Sequence, residues 1–285
     1  MIRLFVADID GTILNEYSKL EEETITAIRR FQSSGGIFMV ATGRNSWELN
    51  VVNDKVDDVI INCVNGALLC EENGESILAQ FVDEDAIRIV YELCQRYVVP
   101  VEFHGEKATY IPCKKEDLLK KALPVFKRSV KEDPVYVFEQ IFDKGTCFET
   151  PIEEILQKRI TKIEVLFIEK EKQERLLKEV ETSLPECNIV SVEFMSNIEI
   201  TSRHANKAKA IQAYCALKGI KEDEAAVAGD GENDIPMLKC FKHSYAMANA
   251  NEKTRNAAKH IAASNREKGV AKLLNEICDA NEKGL

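Results

Sequence analysis

The stretch VADIDGT, residues 6–12, lies near the start of the 285-residue chain and decides its interpretation. The apolar residues up to Ala7 show no helical spacing, and such a short run predicts a strand buried on both faces of a parallel sheet. Asp8 and Asp10 follow, and their side chains start on the same side because strand side chains alternate in direction. Gly11 then permits a sharp turn and a close approach of backbone or ligand.

Two carboxylates at the carboxyl end of a central parallel strand lie where open α/β sheets bind their ligands. Like charges this close together are costly unless a cation or a proton lies between them. The pair therefore indicates a metal site with a nucleophile or an acid, although an isolated Asp-x-Asp is also compatible with a polar turn after an edge strand. A calcium-binding loop is excluded, because the positions that need glycine and glutamate hold Ile13 and Lys19.

The composition indicates a globular protein with one or two cores, since 45% of the residues are hydrophobic. The 48 acidic residues outnumber the 38 basic ones, which argues against a nucleic-acid-binding protein with a basic face. No apolar stretch reaches the length of a membrane span, and the N-terminus enters a strand directly instead of forming a signal peptide. We expect a cytoplasmic protein with neither a nucleic-acid nor a membrane partner, and the oligomeric state stays open.

The nine cysteines are odd in number and widely spaced, and they contain no Cys-x-x-Cys pair. This pattern argues against zinc ribbons, redox motifs and a disulfide framework. We interpret the cysteines as buried small hydrophobic residues in a reducing compartment. The four histidines are scattered, and each alone is better explained as a surface or core residue than as a metal ligand.

The first 63 residues follow the order strand, helix, strand, helix, strand, which predicts a doubly wound parallel sheet with right-handed crossovers. The second strand ends in Thr42, Gly43 and Arg44, which supply a hydroxyl, a close backbone approach and a cation. These groups suit a phosphate at a strand end, although such turns are also common without one.

The pattern changes near residue 83, where hairpins and helices without aspartate-rich strand ends begin. We place a separate α+β module at 83–196 and the core at 1–82 and 197–285. Five element predictions bear on the fold: a helix over 45–55, a helix over 115–129 that Pro124 ends or kinks, and strands over 135–142, 188–194 and 244–248, the last being the final strand.

Two later segments carry charge at the end of an element. Lys207 lies near the start of a predicted helix, where the dipole disfavours a cation, so either solvent exposure or pairing with a phosphate or an aspartate must explain it. The apolar run 225–228 ends in Asp230, Asn233 and Asp234, a second acidic strand end that also fails the calcium-loop spacing.

Taken in order, these four segments resemble the four motifs of the haloacid dehalogenase-like hydrolases, most closely the Cof-type branch with a class IIB cap. The resemblance covers essentially the whole chain. Further positions match the pattern of the branch: Asn65-Gly66-Ala67, Met247, Asn249-Ala250 and Gly269-Val270-Ala271. Two departures, Ala248 where glycine is usual and a bulkier approach over 202–206, leave every catalytic group in place.

The resemblance implies an α/β Rossmann-like core and a cap that closes over the substrate. Asp8 would be the nucleophile that forms an aspartyl-phosphate, and Asp10 would protonate the leaving oxygen and then activate water. Mg²⁺ would be held by the Asp8 carboxylate, the Asp10 main-chain carbonyl and Asp230. The remaining residues are implied to bind the substrate phosphate or to support this arrangement: Thr42, Gly43, Lys207 and Asn233 for the phosphate, and Asp234 as the supporting residue.

The sequence therefore predicts a Mg²⁺-dependent phosphatase of small phosphorylated metabolites, and the resemblance implies sugar phosphates or phosphorylated cofactors such as flavin mononucleotide and pyridoxal phosphate. Two alternatives stay open. A phosphomutase shares the fold and the nucleophile, and a non-enzymatic phosphate-binding regulatory protein would keep the same residues without turnover.

Overall fold

The computed structural model describes residues 1–142, 145–192 and 196–284. Contacts divide the chain into two compact units, which we call the core unit, Met1–Ala79 with Ala205–Leu285, and the inserted unit, Gln80–His204. The insertion thus begins at residue 80 and ends at residue 204, whereas the sequence predicted 83 and 196. The later boundary differs because a strand that we assigned to the core pairs within the inserted unit.

Strands and helices alternate along most of the chain. The strands are β1 Leu4–Ala7, β2 Ile37–Ala41, β3 Val59–Cys63, β4 Leu68–Cys70, β5 Ser76–Ala79, β6 Val101–Gly105, β7 Thr109–Tyr110, β8 Thr146–Cys147, β9 Ile160–Val165, β10 Cys187–Val192, β11 Asn197–Ser202, β12 Ala225–Gly229, β13 His243–Met247 and β14 His260–Ala262. The helices are α1 Glu22–Ser33, α2 Asn50–Asn53, α3 Glu84–Tyr97, α4 Lys115–Ser129, α5 Pro134–Phe142, α6 Ile152–Ile155, α7 Lys170–Ser183, α8 Lys207–Lys218, α9 Ile235–Cys240, α10 Glu252–Arg255 and α11 Gly269–Glu282. None of these helices is both long and apolar enough to cross a membrane.

The core unit is built on an eight-stranded sheet with the order β14-β13-β12-β1-β2-β3-β4-β5. Every pair of neighbours from β14 to β3 is parallel, while the pairs β3–β4 and β4–β5 are antiparallel and form one edge of the sheet. The predicted doubly wound α/β core is therefore confirmed.

Strand β1 is buried on both faces, as its composition predicts. Phe5 and Ala7 belong to the apolar layer that includes residues of α1 and α11, whereas Leu4 and Val6 belong to the layer that includes residues of α8 and α9. The alternation of strand side chains thus makes β1 the centre of two apolar layers. This central position fixes where the carboxyl end of the strand, and the aspartates after it, must lie.

The inserted unit contains a six-stranded sheet with the order β10-β11-β9-β6-β7-β8. Its neighbours are antiparallel except β7 and β8, which are parallel. Strand β11 pairs with β10 on one side and β9 on the other, so residues 197–204 were wrongly assigned to the core. The sheet packs an apolar layer against α3 and α7.

The predicted strand over 135–142 is wrong, because this segment is α5. The Oδ1 atom of Asp133 accepts hydrogen bonds from the backbone N–H groups of Val135 and Tyr136, which satisfies donors at the start of the helix. Phe138 and Phe142 lie four residues apart on the buried side. A capping aspartate followed by proline was therefore the decisive signal, and the continuous apolar run concealed it.

Three other element predictions differ from the structure. The segment predicted as one helix over 45–55 contains only a short 3₁₀ turn and α2. The strand predicted over 244–248 is not the final strand, because β14 follows it and pairs with β13. Pro124 lies inside a continuous α4, where its exposed position leaves the disrupted turn facing water. The strand predicted over 188–194 is observed as β10, and its residues 193–194 lie outside the described residues.

The expectation that all cysteines are buried is only partly correct. Five of them are buried, but Cys147 is exposed at the edge strand β8, and none of the nine forms a disulfide.

Replacing Phe38 by alanine tests the packing of the core unit. Phe38 is fully buried and stacks on Phe5 at a centroid distance of 6.3 Å, with an angle of 8° between the rings. We expect Phe38→Ala to lower the free energy of unfolding by roughly 3–5 kcal/mol, measured by urea denaturation, because it leaves a cavity. The control Tyr17→Ala, at a position that is 73% exposed, should stay within about 0.5 kcal/mol of wild type. A similar loss in both variants would contradict the packing argument.

Candidate active site

Three neighbouring parallel strands end at the same edge of the core sheet. Asp8 follows β1, Thr42 follows β2 and Asp230 follows β12. The backbone N–H of Asp8 donates to the carbonyl oxygen of Ala228 over 2.9 Å, which fixes the register between β1 and β12 at this edge. Pairing of the strands therefore brings together motifs that lie far apart in the sequence.

Lys207 is buried between two aspartates. Its Nζ lies 2.8 Å from Asp8 Oδ1 and 2.6 Å from Asp234 Oδ1, and its side chain is fully buried. Burial alone would lower the pKa of Lys207, but the charges of Asp234 and Asp8 outweigh burial and raise it. Of the two explanations for a cation at a helix start, pairing with aspartate is the one observed.

Negative charge accumulates around this lysine. The carboxylates of Asp8, Asp230 and Asp234 offer oxygens that lie within 4.8 Å of one another. Burial raises the pKa of Asp8 to about 8, although Lys207 opposes the shift, and burial also raises the pKa of Asp230 to about 6. A cation at this cluster would favour the ionised carboxylates.

Asp230 is oriented by two residues to which the sequence assigned no role. The hydroxyl of Thr12 donates to Asp230 Oδ1 over 2.9 Å, and Asn249 Nδ2 donates to Asp230 Oδ2 over 3.1 Å and to the carbonyl of Gly11 over 2.8 Å. Gly11 has a φ of +75°, and a Cβ there would lie 2.2 Å from Asp230 Oδ2. Thr12 belongs to the stretch of residues 6–12 and Asn249 to the pattern of the family. The sequence analysis therefore included both positions, but it did not predict that they contact Asp230.

Asp234 connects Lys207 with the loop after β12. Its Oδ1 accepts the bond from Lys207, while its Oδ2 accepts the backbone N–H groups of Asp230 at 3.0 Å and Gly231 at 2.9 Å. The structure thus places Asp234 as a support for both the lysine and the loop that carries Asp230.

Arg44 contacts an aspartate in this structure, whereas the sequence considered it for a phosphate. Its Nε donates to Asp10 Oδ2 over 2.8 Å and its Nη2 donates to Asp10 Oδ1 over 2.6 Å, a bidentate pair. This bond is the main reason that the pKa of Arg44 is raised. The carboxylate of Asp10 is therefore oriented by Arg44; the predicted metal ligand at this position was the main-chain carbonyl.

Three other residues that the sequence predicted to bind the phosphate, Thr42, Gly43 and Asn233, lie around Asn65. The backbone N–H of Asn65 donates to the Thr42 carbonyl over 2.9 Å, and Asn233 Nδ2 donates to Asn65 Oδ1 over 3.0 Å. A Cβ on Gly43 would lie 3.3 Å from the Asn65 amide. Thr42, Gly43 and Asn233 therefore all adjoin one residue, and the hydroxyl of Thr42 accepts the N–H of Arg44 over 3.1 Å.

The turn after β3 also fixes the backbone at Lys207. Gly66 has a φ of +94°, and a Cβ there would lie 2.3 Å from the carbonyl carbon of Asn206 and 2.6 Å from the nitrogen of Lys207. Asn62 Nδ2 donates to the Lys207 carbonyl over 3.1 Å, and Asn206 caps α8 by accepting the N–H of Lys209. Only glycine lets the two backbones approach this closely.

Comparison with known proteins agrees with this geometry. A model of the haloacid dehalogenase-like hydrolase family matches residues 5–274. The chain belongs to this family. The predicted resemblance is confirmed, and the expected class of enzyme, a phosphoric monoester hydrolase, is confirmed by phosphatase relatives of the chain.

The chain is similar over nearly its full length to curated phosphatases. It is 27% identical to the putative phosphatase YxeH of Bacillus subtilis, over 97% of this chain and 98% of that protein. It is 26% identical to YbjI of Escherichia coli, a 5-amino-6-(5-phospho-D-ribitylamino)uracil phosphatase, over 97% of this chain and 96% of that protein. A solved haloacid dehalogenase-like hydrolase from B. subtilis has a TM-score of 0.78 and 24% identity, covering 97% of this chain and 100% of that one; this likeness concerns the fold.

The close approach at Gly66 predicts a specific loss of activity. We expect Gly66→Ala to displace Lys207 and to reduce kcat by more than about tenfold, measured as phosphate release. Gly35→Ala is the matched control, because Gly35 has a similar φ of +87° but nothing lies within 4 Å of its Cβ position. Both variants carry similar backbone strain, so equal activity in the two would contradict a role for Gly66 in positioning Lys207.

Proposed function

We propose that this protein is a Mg²⁺-dependent phosphatase that acts on small phosphorylated metabolites through an aspartyl-phosphate on Asp8. The observation that carries the proposal is the pairing of Asp8 with the buried ammonium of Lys207, beside the carboxylate of Asp230. Phosphoryl transfer depends mainly on positioning and on neutralisation of charge, and this edge of the sheet supplies both.

In the first half of the reaction, a carboxylate oxygen of Asp8 attacks phosphorus and the bond from phosphorus to the ester oxygen breaks. Asp10 gives its proton to that leaving oxygen, so it must first be protonated and release at least one of its bonds to Arg44. Lys207 and the Thr42 hydroxyl hold phosphoryl oxygens, which keeps the phosphorus in line with Asp8.

In the second half, Asp10 takes a proton from water as the water oxygen attacks the phosphorus of the aspartyl-phosphate. The bond between phosphorus and Asp8 breaks, which releases inorganic phosphate and restores the carboxylate. Asp10 is ionised until it takes this proton, and in that interval the bidentate pair with Arg44 orients its carboxylate. The same residue thus serves as acid and base in turn.

The donor set fits a magnesium ion. Asp8 and Asp230 are buried or half-buried carboxylates with raised pKa values, and the family generally uses a divalent metal. Asp8, Asp230 and the main-chain carbonyl of Asp10 would hold the ion, and these oxygen ligands are of the kind that Mg²⁺ prefers. When bound, Mg²⁺ supplies charge neutralisation to the phosphoryl group.

The substrate class follows from the relatives. YbjI acts on a phosphorylated ribityl compound, which is a phosphate ester of a polyhydroxylated chain. We infer that this protein also takes a phosphate ester of a sugar-like or cofactor-related metabolite. We further propose that the inserted unit is the cap that contacts the leaving group, because the core unit already contains all of the residues assigned to the phosphate.

Replacing the nucleophile tests the proposal directly. We expect Asp8→Asn to reduce turnover by more than about 10³-fold, because an amide cannot attack phosphorus. Phosphate release from p-nitrophenyl phosphate and from a panel of sugar phosphates would be the assay, with circular dichroism to verify the fold. Asp57→Asn, at an exposed position, is the control and should retain wild-type activity. Turnover of Asp8→Asn within tenfold of wild type would refute the assignment.

Removal of metal gives a second test. EDTA should abolish turnover, and Mg²⁺ should restore it better than Ca²⁺, because a site with few carboxylates suits a cation that keeps its waters and requires strict octahedral geometry. The matched measurement is the same titration on Asp230→Asn, which should need more Mg²⁺ for half-maximal activity. Full turnover of the wild type in excess EDTA would be incompatible with the proposal.

A further inference from the structure

A second cluster of charged side chains lies within the inserted unit, on the strands at the centre of its sheet. Glu102 on β6, Glu164 on β9 and Glu199 on β11 are direct cross-strand neighbours, and His104 and Lys162 form the next row. Glu102, His104 and Lys162 are only 4–6% exposed. Charged residues are rarely buried to this extent without a partner that compensates their charge.

The spacing of three of these groups matches the first shell of a metal ion. His104 Nε2 lies 3.2 Å from Glu102 Oε2 and 3.5 Å from Glu164 Oε2. A tetrahedral zinc site with bonds of about 2.0–2.2 Å has distances of about 3.4 Å between its ligand atoms. All three ligand atoms lie within 4.8 Å of one another, so one ion could contact all of them.

Two of the three proposed ligands, His104 and Glu164, also form hydrogen bonds with neighbouring side chains, as metal ligands commonly do. His104 Nδ1 forms a hydrogen bond with Thr109 Oγ1 at 3.0 Å, and donation from Nδ1 leaves the Nε2 lone pair facing the two carboxylates. Asn197 Nδ2 donates to Glu164 Oε1 over 2.7 Å, and the side-chain carbonyl of Asn197 accepts the N–H of Phe167 over 3.2 Å, which fixes the orientation of its amide. The side chain of Glu164 is therefore oriented with Oε2 toward His104.

The charge balance calls for a divalent cation. Among the described residues of this cluster, Glu102, Glu164 and Glu199 carry three negative charges when ionised and Lys162 carries one positive charge, a sum of −2 when His104 is neutral. Among the described residues, Glu102 Oε1 is a buried oxygen without a hydrogen-bond partner. Lys162 pairs with Glu164 at 3.1 Å and approaches Glu199 at 3.8 Å, so Glu102 is the carboxylate that it compensates least.

We propose that Glu102, His104 and Glu164 form a second metal site, one that binds a divalent transition-metal ion of the Zn²⁺ class. Imidazole together with carboxylate selects such an ion over Mg²⁺, which prefers oxygen ligands alone. The site lies within the inserted unit, and the proposal does not rest on the proposed phosphatase function. It also revises the expectation that each histidine of the chain lacks a ligand role. The competing occupant is a proton, which would make His104 an imidazolium paired with the two glutamates.

Metal content distinguishes these two occupants. Chelator-treated wild type, His104→Gln and the control His204→Gln, which alters an exposed histidine of the same unit, would be equilibrated with micromolar Zn²⁺. Bound zinc would then be measured by atomic emission. We expect wild type and His204→Gln to hold one Zn²⁺ per chain more than His104→Gln, and Zn²⁺ to raise Tm only where the site is intact. Equal zinc content in all three proteins would overturn the proposal in favour of the imidazolium.

A second variant keeps the test decisive if His104→Gln fails to fold. Thr109→Val removes the partner of His104 Nδ1 but keeps all three ligands, and we expect it to raise the Kd for Zn²⁺ by about 10–100-fold. Replacement of Zn²⁺ by Co²⁺ should give visible absorption typical of tetrahedral coordination in the wild type. An unchanged Kd in a folded Thr109→Val, or no Co²⁺ absorption in the wild type, would contradict the assignment.

Discussion

The ammonium of Lys207, buried between Asp8 and Asp234, is the interaction on which the rest of the active-site edge depends. A charge without solvent is tolerated only when it is paired, and removal of one partner of a buried pair typically costs about 3–5 kcal/mol. The two carboxylates that satisfy the lysine come from the segments that follow adjacent strands. The requirement for pairing therefore ties the strand register, the capped start of α8 and the loop after β12 into a single arrangement.

In the core unit, the polar contacts that stabilise the fold also orient the residues of the candidate active site. Asp234 uses one oxygen for Lys207 and the other for two backbone N–H groups, and Asn249 and Thr12 donate to the two oxygens of Asp230 in a similar way. Lys207 and Asp230, both assigned to the proposed active site, are thus oriented by polar groups around them. Such preorganised polar groups lower the reorganisation that a reaction would otherwise require.

Part of the fold and of the candidate site could be predicted from the sequence. What could be predicted depends on how far apart along the chain the interacting residues lie. Asp8 and Asp10 were recognised because they follow an apolar strand directly, and β1 was placed correctly because its buried residues are contiguous. The contact of Arg44 with Asp10 spans 34 residues, and that of Asn249 with Asp230 depends on two strand ends, so no local pattern contains them. The helix over Pro134–Phe142 was missed for a different reason, since its start signal of Asp133 and proline was outweighed by an apolar run that also suits a strand.

The central position of β1 has a consequence for the order in which the chain can fold. Strand β1 pairs with β2 on one side and with β12 on the other, and β12 is synthesised long after β1. Until Ala225–Gly229 has left the ribosome, β1 is an edge strand with a row of unpaired backbone groups next to apolar side chains. The inserted unit is synthesised in this interval, so it can complete its own sheet while the core is still open. A truncated chain that ends before β12 would expose an aggregation-prone strand and would be a substrate for chaperones or proteases.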